Sequence, residues 1–118
     1  MKDLKLIKIE ELIEKKDISK AQIEISKLGE SYFKNPDYLF IRGKLAFENK
    51  LYYLAIDTLL IALEFEKSEK IFNLLSLIYK IIGNIELSKK FSEPKLRNEA
   101  AETLKNELTG IYRKKSIN

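Results

Sequence analysis

The 118-residue sequence predicts an all-α fold made of three helix hairpins and a closing helix. Only two prolines and four glycines occur, so little of the chain is left for irregular structure. Strand-type alternation is nowhere sustained, whereas apolar residues recur at three- and four-residue spacing. The chain also repeats itself, at offsets of 34 and then 33 residues.

The repeat aligns Ile9, Gly43 and Ser76, then Leu12, Ala46 and Tyr79. Asp17, Leu51 and Asn84 follow, then Ile18, Tyr52 and Ile85. Ala21, Ala55 and Ser88 coincide next, and finally Ile25, Leu59 and Ser92. Each unit reads as a helix, a tight turn and a second helix, over about residues 2–35, 36–68 and 69–92 of a single domain spanning 1–118. One hairpin cannot bury its apolar face alone, but stacked hairpins share a core.

The first unit is the poorest in its opening helix, and its second helix is expected to run long, to Tyr32-Phe33-Lys34. In the middle unit Asn35-Pro36 breaks the chain and proline presets a helix start. Leu39, Gly43, Ala46 and Phe47 keep helical spacing up to the turn at Asn49-Lys50. Tyr52, Ala55, Leu59, Ala62 and Leu63 then mark the second helix. Gly43 and Ala62 permit paired helices to approach closely. Ser92-Glu93-Pro94 predicts a last helix, with Ser92 as cap, over about residues 93–113. It places Leu96, Ala100, Leu104, Leu108 and Ile111 on one stripe, as a capping helix requires. Docking of that stripe on a partner is the alternative.

The middle unit reads Leu39-x-x-Arg42-Gly43-x-x-Ala46, then Tyr52-x-x-Ala55-x-x-x-Leu59-x-x-Ala62. The third reads Phe72-x-x-Leu75-Ser76-x-x-Tyr79-x-x-x-Gly83-Asn84-Ile85-x-x-Ser88, and the first keeps Asp17-Ile18-x-x-Ala21-x-x-x-Ile25. Over about residues 2–92 this resembles the tetratricopeptide repeat family. The departures are the lack of tryptophan, Arg42 at a usually apolar position, and Pro94 where a helix should continue. The resemblance implies a right-handed superhelix of the three hairpins plus the capping helix. It also implies a concave groove lined by the first helix of each hairpin. Mapped by phase, the groove takes Leu6, Glu10 and Ile13, then Phe40, Lys44 and Phe47 with Glu48 at the edge, then Asn73, Leu77, Lys80 and Ile81. Phe40 and Phe47 stay open between groove and core.

Composition narrows the function. Hydrophobic residues make up 45% and charged residues 34%, as in a folded helical protein. Histidine and cysteine are absent, which removes imidazole bases, thiol nucleophiles, disulfides and the usual zinc ligand sets. The glycines are isolated, so no phosphate-binding loop exists. Carboxylate pairs such as Glu10 and Glu14 read as solvated helix surface. No enzyme, cofactor or metal site is expected. Nor is there an apolar run long enough for a membrane span or secretory signal, so the expected location is cytoplasmic.

The expectation that remains is a protein–protein adaptor or chaperone-like module, in its most concrete form resembling bacterial secretion chaperones. Its partner would be an extended peptide or amphipathic helix with acidic groups, attracted by Lys44 and Lys80. Glu10 argues against a clamp for a C-terminal carboxylate. Two alternatives belong to other classes. The net charge of +4 lies wholly in residues 89–118, so nucleic acid could meet Lys89, Lys90, Lys95 and Arg97, although interspersed acids disfavour it. The cluster Arg113-Lys114-Lys115 reads instead as cations offsetting a helix dipole. Self-association through exposed apolar stripes, giving a homodimer, is the other.

Overall fold

The computed structural model describes the backbone of residues 3–117 and the side chains of residues 3–107. Within these the chain is all-helical, with no strand. The α-helices are α1 (Leu4–Glu14), α2 (Ile18–Ser26), α3 (Pro36–Glu48), α4 (Tyr52–Phe65), α5 (Glu69–Ile81), α6 (Ile85–Ser92) and α7 (Arg97–Ile117). The chain divides into two compact units, Met1–Ile71 and Phe72–Asn118.

The same turn joins α1 to α2, α3 to α4 and α5 to α6. Lys16, Lys50 and Gly83 occupy it with φ of 65°, 62° and 90°. In each case the helix closes with the same pair of bonds. The N–H groups of Lys16, Lys50 and Gly83 donate to the carbonyls of Ile13, Phe47 and Lys80 at 2.9, 2.9 and 3.2 Å. Those of Asp17, Leu51 and Asn84 donate to Leu12, Ala46 and Tyr79 at 2.9, 2.8 and 2.8 Å. This is the Schellman closure, in which a left-handed residue lets the chain reverse and satisfies the last carbonyls. The 34- and 33-residue offsets of the sequence repeat therefore recur in the backbone hydrogen bonds.

The starts of α1, α3 and α6 are capped by short polar side chains. Asp3 Oδ1 accepts from Lys5 N at 2.8 Å, Asn35 Oδ1 from Asp37 N at 2.8 Å, and Asn84 Oδ1 from Leu87 N at 3.1 Å. Pro36 stands in the first turn of α3, where its missing N–H costs nothing.

In the first unit α1 packs on α2, α3 on α4, and α3 also meets α1 and α2. The core comprises Ile9, Ile13, Ala21, Ile25, Leu45, Ala55 and Leu59 with their neighbours. Gly43 lies at the α3–α4 crossing: a Cβ built there would stand 2.8 Å from Leu59 Cδ2 and 2.9 Å from Leu59 Cγ. The small residue is thus what lets these helices approach, as the pattern required.

In the second unit the crossing at the same phase is polar. Ser76 Oγ donates to the Ser88 carbonyl at 2.7 Å, and Ser88 Oγ donates to the Ser76 carbonyl at 2.8 Å. Beside this clasp Phe91 stacks on Tyr79 at 5.6 Å and meets Phe72 at 6.4 Å. The helix α7 lies against α6 and buries Ala100.

Two expected boundaries move. The helix α2 ends at Ser26 and does not run to Lys34. Ser26 Oγ turns back onto the Ile23 carbonyl at 2.7 Å, Gly29 is extended, and Glu30–Tyr32 form one 3₁₀ turn. That detour carries Tyr32 and Phe33 onto Tyr38, each 6.0 Å between ring centroids, and lets the Tyr32 hydroxyl donate to Asp3 Oδ2 at 2.7 Å. Ser92, expected to cap the last helix, instead ends α6, with its hydroxyl donating to the Lys89 carbonyl at 2.7 Å. Pro94 lies in the intervening turn and α7 begins at Arg97. Leu96 is exposed outside the helix and Leu104 is half-buried, while the side chains of Leu108, Ile111 and Arg113-Lys114-Lys115 lie outside the described residues.

Candidate partner-binding surface

The helices α1 and α3 run side by side in the first unit, and their shared seam removes part of the expected groove from the surface. Leu6 is 4% exposed, Ile13 0% and Phe40 6%. These three side chains belong to the core. Sequence phase marks the face of a helix, but the covered flank of that face depends on which helix lies beside it.

Glu10, Lys44, Phe47 and Glu48 do reach the surface, each half-buried. Phe47 packs its ring against Tyr52 of α4, 5.9 Å between centroids. Lys44 Nζ lies 3.9 Å from Glu10 Oε2 and 4.0 Å from Glu14 Oε1. Lys70 Nζ lies 2.8 Å from Asp37 Oδ1, and Lys16 Nζ 3.3 Å from Glu48 Oε1. Ammonium groups of Lys44 and Lys70 also approach the Phe40 ring, at 6.0 and 4.8 Å from its centroid. This face is consequently a set of ion pairs, three lysines against four carboxylates, over an aromatic floor. Such half-exposed pairs contribute about 0–1 kcal/mol each, so an incoming charge can exchange with them at small cost. The recess between the helices at Leu6, Ile7, Glu10 and Ile41 holds about 20 Å³, room for a water molecule and no side chain.

On α5 the expected positions Asn73, Leu77, Lys80 and Ile81 are all exposed and fall on one helical face. Leu77 and Ile81 are one turn apart, with 44% and 47% of their surface accessible.

Two features escaped the sequence pattern. The helix α4 is apolar on its outer side as well as its inner one, exposing the adjacent Tyr53 and Leu54, then Ile61 seven residues after Leu54 and Phe65 four further on. Asp57 lies among them half-buried, and burial pushes its carboxyl above the ordinary value. The second is Arg42, legible in the sequence only as a departure. Its guanidinium donates from Nη1 to the Tyr38 hydroxyl at 2.8 Å, with Cζ 5.6 Å from the centroid of that ring. It lines a cavity of about 140 Å³ between α2, α3 and α4.

Asp3 is held below the ordinary 3.8 chiefly by the Tyr32 hydroxyl, and the same bond raises the Tyr32 phenol above 10.0. Among the described residues no group of three or more Asp or Glu side chains is placed to hold a metal ion, and no described helix is long and apolar enough to cross a membrane. Comparison of the chain with protein-family models, with curated proteins and with solved structures gave no match.

Proposed function

We propose that this chain is a protein–protein interaction module of tetratricopeptide type, an adaptor or chaperone-like scaffold and not an enzyme. Its hairpins would stack as a right-handed superhelix closed by α7. A peptide or amphipathic helix of another protein would be held by the first helix of each hairpin, α1, α3 and α5. The observation that supports this reading best is the identical left-handed turn at Lys16, Lys50 and Gly83, which makes the three hairpins copies of one building block. Within the first unit the contact points are the half-buried Phe47 and the exchangeable ion pairs of Lys44 with Glu10 and Glu14. On α5 they are Asn73, Leu77, Lys80 and Ile81.

The test is retention of a natural partner, captured from the native source, by Phe47→Ala. Partner capture should be lost while stability falls by only about 1–2 kcal/mol, as expected of a half-buried ring. A loss of about 3 kcal/mol or more would make Phe47 core and move the groove elsewhere. Lys44→Gln is the cleaner charge variant, because Lys44→Glu would crowd a third carboxylate against Glu10 and Glu14. The nucleic-acid reading predicts binding that falls steeply with salt; its failure to appear at low salt would end it. The self-association reading predicts a dimer in light scattering, and a strict monomer would end that.

A further inference from the structure

We propose that the cavity at Arg42 is a second binding site, on the α2–α4 side of the first unit, for a carboxylate that stands next to an aliphatic group. The bearer of such a group is a protein segment with Glu or Asp beside Leu, Ile or Val.

The cavity holds about 140 Å³ and is open to solvent on one side. That is room for a carboxylate on a short hydrocarbon stem. Its cation is Arg42, and none of the side chains lining it is acidic. Among the described residues Arg42 makes no ion pair; its only fixed contacts are to Tyr38. Lys16, Lys44 and Lys70 on the α1–α3 face each have an acid within 4.0 Å, whereas Arg42 has none among the described residues.

The guanidinium is also positioned in advance. Tyr38 is buried at 2% exposure and fixes Nη1, which leaves Nη2 and Nε–H as donors for two oxygens of one carboxylate. An arginine already held in place loses less freedom on binding than a free one. The carboxamides of Gln22 and Asn49 line the same cavity and make no hydrogen bond among the described residues, so their NH₂ groups are available. Thr58 contributes no donor, since its hydroxyl already donates to the Leu54 carbonyl at 2.8 Å.

The rest of the lining decides between anions. Ile25, Leu45 and Ala46 give an apolar wall, and Leu51 and Leu54 stand half-exposed at the rim, at 52% and 55%. One cation balances a monoanion. A phosphate dianion would keep an uncompensated charge against leucine, where desolvation is costly. Leu51 and Leu54 then offer the contact for the aliphatic neighbour. The site shares no residue with the α1–α3 face, so it stands or falls independently of the function proposed above.

The experiment is an NMR titration of the ¹⁵N-labelled full chain with N-acetyl-Leu-Glu amide. Saturable shifts are expected at the amides of Gln22, Asn49, Leu51 and Leu54, with N-acetyl-Leu-Gln amide and inorganic phosphate at least tenfold weaker. Arg42→Gln should weaken the peptide at least tenfold. Because Arg42 also supports Tyr38, a second variant guards the result: Gln22→Glu, on the exposed side of α2, supplies an internal carboxylate and should abolish binding in a fully folded chain. Absence of shifts, equal response to the Leu-Gln probe, tighter binding of phosphate, or undiminished binding in Gln22→Glu would each overturn the assignment.

Discussion

Replacing Gly43 with alanine sets two effects of opposite sign against each other. In a helix interior alanine is favoured over glycine by about 0.5–1 kcal/mol, because the unfolded chain loses less freedom. At this position the new methyl would stand 2.8 Å from Leu59 Cδ2 and 2.9 Å from Leu59 Cγ. Rotation about χ2 can move Cδ2 aside, but Cγ moves only with the whole side chain. Leu59 is 0% exposed and has nowhere to go, so α3 and α4 must part. Overpacking of this kind costs about 1–3 kcal/mol. The net expectation is a loss of about 0.5–2 kcal/mol, read from urea denaturation followed by circular dichroism, with each kcal/mol lowering Tm by about 4 °C. Gly29→Ala is the control, since nothing lies within 4 Å of its Cβ and stability should hold or rise slightly. A decisive arm is Gly43→Ala in a Leu59→Ala background. There the cavity receives the methyl, the sign should reverse, and the coupling should be about 1–3 kcal/mol. If Gly43→Ala is neutral or stabilising in the wild-type background, the close crossing of α3 and α4 is refuted.

Ala55→Leu, at the same crossing and wholly buried, should cost about 1–3 kcal/mol in the same assay, and a neutral outcome would count against the register. Ser88→Ala removes one of the two reciprocal bonds with Ser76 and should cost about 0.5–1.5 kcal/mol, whereas Ser88→Leu should cost more by forcing α5 and α6 apart. Lys50→Gly should stabilise by about 0.5–1 kcal/mol, because a left-handed φ strains a side-chain residue, and Gly83→Ala should destabilise by about as much for the same reason. Asp57, raised by burial, contributes stability below 3.8 that is lost as pH rises; Asp57→Asn should therefore raise Tm at pH 7, and the gain should vanish as pH falls below 3.8. Asp3 has the opposite sign: its folded carboxyl is depressed by Tyr32, so the stability difference between wild type and Tyr32→Phe should close on acidification below 3.8.

The helical class, the three hairpins and their turns were legible from sequence, because each rests on short-range physics. A Schellman turn involves six consecutive residues, and the amphipathic period is read within two or three turns of one helix. The equivalence of residues 16, 50 and 83 follows from the same register that aligns Gly43 with Ser76. Three-dimensional packing decided the rest. Leu6, Ile13 and Phe40 have the spacing of groove residues, but the packing of α1 and α3 among their neighbours leaves all three buried. Lys44 reads as a free cation until Glu10 and Glu14 are brought beside it from α1. Arg42 reads as a breach of pattern until Tyr38 fixes it over a cavity with no acid in its wall. A charge or an apolar side chain acquires its role from what stands opposite it, and opposite neighbours are set by the fold and not by adjacency along the chain.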